Sequence, residues 1–279
     1  MPTNLSLIRT TDLAEALNLE SHEVVSLVGG GGKTSVMFRL AHELAAAGKR
    51  IISTTTTRIM PPTPEESGCI ILEEDEDVMI ARARAALLDC LHITIACPDT
   101  NKLKGLLPET IDRLHHLKLA EYIVNEADGA ACQPLKAPNP TEPVIPASTS
   151  LVVAVVGIEA IGRPLLSDNA FRIEHISRLT GLKEGELITV EAVSLLLTHP
   201  QGIIQYAPTA GRIIPFINKA GADQDTQAKI LAENVLCRHH PQIERVVFGE
   251  ARCPSHHLTS VSLASNDIPL GLYSSRLNS

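Results

Sequence analysis

Four glycines followed by Lys-Thr-Ser, at Gly29, Gly30, Gly31, Gly32, Lys33, Thr34 and Ser35, stand directly behind the apolar run Val24-Val-Ser-Leu-Val28. A strand, a glycine loop and a helix in that order are what a polyphosphate requires. Without a Cβ, the loop amides can turn toward an anion, and the helix behind them adds the positive end of its dipole. Lys33 is then placed to reach the β- and γ-phosphates, and the Thr34 hydroxyl to hold a magnesium ion. The usual spacing, G-x-x-x-x-G-K-S/T, would put a glycine where Leu27 stands, so this is a compact G-x-x-G-K-T variant. A plain turn would account for the glycines but would leave Lys33-Thr34 at the helix start unexplained.

A second constellation is Tyr122-Ile-Val-Asn-Glu126-Ala-Asp128-Gly129, an apolar strand ending in acids. This is the Walker B arrangement, in which one carboxylate orders the magnesium shell and a neighbour orients or deprotonates a nucleophile. Glu126 and Asp128 alternate onto one side of an extended chain, and we assign Asp128 to the magnesium shell and Glu126 to supporting that shell or acting as base, with the two roles open to exchange. Lys33, Glu126 and Asp128 thus form the expected catalytic set. Thr54-Thr55-Thr56-Thr57-Arg58 follows another apolar strand. Ligands of open α/β sheets bind beyond the carboxyl ends of the strands, so Thr55 and Thr56 are candidates for the phosphate side and Arg58 for a substrate contact. Lys102, Lys104 and Lys136 are further anion candidates in loops that follow strands.

The elements that position these groups are legible in order. A short helix is expected over residues 11–17, capped by Thr11 or Asp12, and strands over 24–28 and 50–53 flank a helix that Gly48 ends. A strand at 69–72, a helix over 78–91 behind the acidic run 73–77, and strands at 92–97 and 122–126 follow. The second half reads as a strand at 151–156, a helical stretch within 158–198, a strand at 212–217, a helix over 224–238 and a strand at 244–249. The expected class is α/β, a P-loop NTPase-like three-layer fold with a mostly parallel sheet. Its expected organisation is a helical lead-in over 1–20, a nucleotide-binding domain over 21–258 with a helical insertion near 158–198, and a polar tail over 259–279.

The composition agrees. Aromatic residues are 3% of the 279, with no Trp, which leaves the core to Val, Ile, Leu and Ala, the palette of a parallel sheet covered by helices. A net charge of -8 argues against nucleic acid or an anionic membrane as partner. No apolar run approaches the roughly 20 residues of a bilayer span, and residues 1–11 lack a signal-peptide pattern. Six cysteines without a Cys-x-x-Cys pair fit a reduced, cytoplasmic protein.

The run 27–34, the threonines 54–57, Asn125-Glu-Ala-Asp-Gly129, Pro134-Leu-Lys-Ala-Pro138 and Glu142-Pro-Val-Ile-Pro146 together resemble the YqeC family. Members are described as selenium-dependent hydroxylase accessory proteins, or selenium cofactor biosynthesis proteins. The resemblance covers about residues 21–249 and implies a P-loop fold and a part in maturing molybdenum hydroxylases that carry a labile selenium. A client hydroxylase or a cofactor-maturation protein would then be the partner, beside the nucleotide. Arg172 and His175 match an Arg/His region of the family; at a spacing of three they share a helix face, a charged surface by default and a candidate for the substrate side.

Asn218-Lys219 after an apolar strand resembles the Asn-Lys-x-Asp element that reads guanine in GTPases, but the fourth position is Gly221 and Asp223 comes two residues late. The base therefore stays open between ATP and GTP, with Asn218 and Lys219 expected to border it. Cys237-x-His239-His240 and Cys253-x-x-His256-His257 have zinc-ligand residue types, yet a strand between them should carry them apart. The leading expectation is a magnesium-dependent NTP-hydrolysing accessory protein. The alternatives are an ATP-dependent kinase or Mur-like ligase acting on a small anionic acceptor, and a non-catalytic nucleotide-sensing adaptor for a client hydroxylase.

Overall fold

The computed structural model describes residues 5–264. The chain begins with β1 (Leu5–Thr10), α1 (Leu13–Ala16), β2 (Val24–Gly29) and, behind the glycine loop, α2 (Lys33–Ala46). It continues through β3 (Ile51–Thr55), β4 (Arg58–Ile59), β5 (Ile70–Leu72), α3 (Glu76–Asp89), β6 (His92–Ala96), β7 (Leu103–Lys104), α4 (Pro108–His116) and β8 (Tyr122–Glu126). The second half holds β9 (Leu151–Gly157), α5 (Ile173–Thr180), α6 (Val190–Thr198), β10 (Arg212–Asn218), α7 (Asp225–Leu236), β11 (Arg245–Gly249) and β12 (Leu258–Leu263).

Ten strands form one sheet in the order β1-β12-β11-β10-β9-β2-β8-β3-β6-β5. Pairings from β11 to β5 are parallel, and only β12 with its neighbours β11 and β1 is antiparallel. β4 and β7 make a separate antiparallel ribbon. From β2 the chain crosses to β3, builds outward to the β5 edge and returns to β8 beside β2; from β8 it leaves for the other side, to β9, β10 and β11. The carboxyl ends of β2, β8 and β9 therefore enclose the point where the direction of winding reverses, which is where open α/β sheets bind ligands.

Alternation along the strands divides the core between two faces. Val25, Leu27, Val153 and Val155 pack with Val36, Met37, Leu40 and Leu44 of α2 and with α1. Val152, Ala154 and Val156 point the other way, into a cluster built from α5, α6 and α7. Val24, Ile52 and Ile123 meet Met79, Ala83, Ile111 and Leu114 of α3 and α4 on that same second face. Helices thus cover both sides of the sheet, as a strand core apolar on both faces demands. Local signals start the helices: Asp12 accepts from the Glu15 amide, Asp75 from Asp77 and Val78, and Thr189 from Ala192.

The structure departs from the sequence reading at both ends of the chain. The lead-in over 1–20 is not purely helical, because residues 5–10 form β1, paired with β12 from Leu5↔Leu263 to Thr10↔Leu258. The region expected as a polar tail from 259 onward contributes most of β12, and residues 265–279 lie outside the described ones. α4 was not anticipated. Residues 158–198 form part of the crossover from β9 to its parallel neighbour β10, and Ile176, Val193 and Leu196 join the same apolar cluster as α7. Among the described residues no helix is long and apolar enough to cross a membrane.

Candidate functional site

β2 delivers the glycine loop to the centre of the sheet, and its neighbours shape it. The Gly30 amide donates to Val155 O, the Gly31 amide to Gln133 O, and the Gly29 amide to the Asp128 carboxylate. Gly31 has φ +77, and a Cβ there would lie 2.1 Å from the Gly157 amide nitrogen. Gly32, at φ +114, would press a Cβ to 2.6 Å from Asn218 Nδ2. The turn therefore tolerates no side chain at either position. It delivers α2 with its first turn open: among the described residues, the amides of Gly32, Lys33, Thr34 and Ser35 have no protein acceptor. These four amides stand at the positive end of a 14-residue helix, where an anion is favoured.

β8 runs parallel to β2 with Glu126 opposite Leu27, so its acidic end meets the start of α2. Lys33 Nζ donates to Gly29 O at 2.6 Å and lies 3.2 Å from Asp128 Oδ1 and 3.7 Å from Glu126 Oε1. Burial works against the Lys33 charge, but Asp128 and then Glu126 outweigh it, and its pKa is raised. Burial likewise pushes the Glu126 carboxyl above its ordinary value, with Lys33 and the Thr34 hydroxyl pulling it back only in part. The Thr34 hydroxyl donates to Glu126 Oε2 at 2.8 Å.

The surroundings of the two acids differ. Thr34 pairs with Glu126, whereas Asp128 lies between two lysines, with Lys136 Nζ at 2.9 Å from its Oδ2. Cis ligands of an octahedral magnesium at about 2.0–2.1 Å stand roughly 2.9 Å apart. The 2.8 Å between the Thr34 and Glu126 oxygens matches that edge, so Thr34 and Glu126 fit a magnesium ion better than Thr34 and Asp128.

Lys136 is not the exposed anion contact its loop position suggested. It is fully buried, donating to Gly129 O and pairing with both Asp128 and Glu142. Arg172 then grips Glu142 with two bonds, at 2.6 and 3.0 Å. Burial raises the Glu142 pKa, but Arg172 and Lys136 overcome it and hold the value at about 2. Arg172 itself is not in a helix: it caps α5 in the left-handed conformation, φ 60, so the helix face expected to join Arg172 and His175 does not exist. His175 instead approaches Glu174 and Arg178.

The threonine run is largely structural. Thr54 donates to Ile95 O, Thr55 to Glu126 O and Thr56 to Val144 O, so the Thr55 and Thr56 protons are engaged by main chain beside the site. Arg58 pairs with Asp99 on the β4–β7 ribbon and is not drawn into the cluster of Lys33, Glu126 and Asp128. Lys102 and Lys104 are exposed. Ser35 accepts from Arg252 Nε at 3.2 Å.

On the far side Asn218 fastens two loops together. Its Nδ2 donates to Gly31 O, and its Oδ1 accepts from the Lys219 and Ala251 amides. Lys219, at φ 61, pairs with Glu159, whose other carboxylate oxygen is buried without a hydrogen-bond partner. Sequence reasoning missed Glu142, Glu159 and the Gln133 carbonyl as parts of this site. Glu142 opens the Glu142-Pro-Val-Ile-Pro146 run, and an acid six residues from Lys136 is a signal for its counter-ion; a carbonyl acceptor such as that of Gln133 leaves no trace in residue type.

Sheet, winding reversal and glycine loop define an α/β protein whose polar site lies at the carboxyl ends of its central strands. The model of the YqeC protein family matches residues 25–174. The chain is 35% identical over 229 residues to the Escherichia coli (strain K12) protein named uncharacterized protein YqeC, covering 81% of this chain and 87% of that one. It belongs to the YqeC family. Among solved structures it is similar to the signal recognition particle receptor FtsY from Elizabethkingia anophelis, at 13% identity and a TM-score of 0.32, covering 87% of this chain and 66%, just under two thirds, of that one.

Proposed function

We propose that the glycine loop is a P-loop that binds a nucleoside triphosphate with magnesium, and that the protein hydrolyses it. One observation carries the reading: four amides without acceptors open α2 directly beside Lys33 and the Thr34–Glu126 pair. In this account the amides of residues 32–35 take the phosphate oxygens and Lys33 swings from Gly29 O to the terminal phosphate. Thr34 and Glu126 hold the magnesium, which supplies charge neutralisation between the phosphates. Asp128, held by Lys136 and the Gly29 amide, keeps Lys33 protonated. Asn218 and Lys219 border the base, and ATP and GTP are both candidates. In keeping with the family resemblance, the turnover serves maturation of selenium-dependent molybdenum hydroxylases.

The test is phosphate release from ATP and from GTP, with and without magnesium, by the full chain and by Glu126→Gln. Release that needs magnesium and falls at least about 100-fold in the variant is expected, since one preorganised charge contributes roughly 3–4 kcal/mol. Equal release by both proteins would overturn the assignment of Glu126.

A further inference from the structure

The loop between β11 and β12 gathers three metal-binding side chains that the phosphate site does not use. Single ligand atoms of Glu250, Cys253 and His256 all lie within 4.8 Å of one another. The main chain produces this convergence. The Cys253 amide donates to Glu250 O and the His256 amide to Cys253 O, two successive turns of three residues. Residues three apart in such turns eclipse one another, so the side chains of 250, 253 and 256 emerge on one side. The base of the loop is also fixed: Glu250 O accepts from buried Arg39, and the Ala251 amide donates to Asn218.

We propose that Glu250, Cys253 and His256 form a binding site for a thiophilic divalent cation of the zinc class. A thiolate, an imidazole and a carboxylate are ligand types zinc accepts, and the thiolate disfavours magnesium or calcium. Bonds of about 2.3 Å to sulfur and 2.0–2.1 Å to nitrogen or oxygen put tetrahedral ligands roughly 3.5 Å apart. From separations of at most 4.8 Å the sulfur has to close by up to about 1 Å, while the Glu250–His256 pair has to open by a similar amount, both within reach of χ rotation in a partly exposed loop. Glu250 Oε2 and His256 Nδ1 are already in contact at 2.5 Å. The ion would replace the proton between them.

Three protein ligands leave a fourth position for water or a ligand. The cluster borders a cavity of about 340 Å³ lined by Gly221, His256, His257 and Thr259 among others, which offers room for it. The other Cys/His group does not join: Cys237 caps the end of α7, and His240 Nδ1 accepts from the Gln242 amide.

The test is cobalt titration of the untagged full chain after chelator treatment, followed by zinc displacement. One ion per chain is expected, with a near-ultraviolet thiolate-to-cobalt band and the strong visible bands of four-coordinate cobalt. Cys253→Ser and His256→Ala should each lose the thiolate band or weaken binding about 100-fold, while a Cys132→Ser/Cys237→Ser double variant should bind like the parent. Absence of a thiolate band in the folded parent, its survival in Cys253→Ser, or its loss in the double variant would each overturn the proposal. Both loop variants alter a surface segment, and circular dichroism checks that they fold.

Discussion

Lys136 Nζ sits 2.9 Å from Asp128 and 2.9 Å from Glu142, fully buried, and so joins the cluster at the glycine loop to the segment that begins α5. Lys33, Lys136 and Arg172 face Glu126, Asp128 and Glu142, three cations against three carboxylates in one continuous chain of contacts. Buried charges persist only when they are paired in this way.

Removing the central cation should therefore be costly. Lys136→Met leaves Glu142 with Arg172 alone and Asp128 with Lys33 alone, and we expect a loss of about 3–5 kcal/mol in denaturant unfolding. Lys136→Met/Glu142→Gln should recover part of that loss, because one of the stranded carboxylates is gone. A double-mutant cycle with no coupling between the two positions would contradict the chain of contacts.

Gly31 and Gly48 have nearly the same φ, +77 and +78, but only Gly31 has neighbours where a Cβ would stand. Gly48→Ala should cost about 1–2 kcal/mol, the price of a left-handed alanine. Gly31→Ala should cost roughly 1–3 kcal/mol beyond that, because the methyl meets the Gly157 backbone at 2.1 Å. Equal melting temperatures for the two variants would show that the loop is not packed against β9 as described.

Stability should fall in two steps as the solution is acidified. Burial, with the neighbouring His42 charge, lowers the His92 pKa to about 4 from 6.5. The unfolded chain binds a proton there first, so the stability due to neutral His92 is lost as pH falls from 6.5 toward 4. Glu142 is depressed from 4.5 to about 2, so its contribution is full above 4.5 and disappears as pH falls through that lower window. Unfolding free energy measured against pH should lose the upper slope in His92→Gln and the lower slope in Glu142→Gln. An unchanged profile in both variants would remove these residues from the account.

The central strands were legible because β2, β8, β9 and β10 are β-branched runs buried on both faces, which few other structures accommodate. β1 and β12 were not, since Leu5–Thr10 is mostly exposed and Leu258–Leu263 alternates with Ser and Thr; their pairing spans nearly the whole chain. α4 carries readable helix signals, Pro108 in its first turn and Ile111 and Leu114 three apart on its buried face, but it is only nine residues long. In the site, Gly29 to Thr34 and the acids Glu126 and Asp128 announced themselves by type and spacing. Which acid meets Thr34 depends on the β2–β8 register, and the burial of Lys136 depends on how the Pro-rich loop folds back. Neither is encoded locally. The position of Thr55 and Thr56 beyond a strand suggests site hydroxyls, but main-chain carbonyl groups take their protons.

The measurement that bears most directly on the whole account is calorimetric binding of ATP and of GTP, with magnesium, to the full chain and to Lys33→Ala, with circular dichroism confirming that both are folded. The account predicts one nucleotide per wild-type chain and binding about 10–100-fold weaker in the variant, the worth of one charge-assisted contact. A folded wild-type protein that takes up neither nucleotide, or one that binds as tightly without the Lys33 amine, would contradict it.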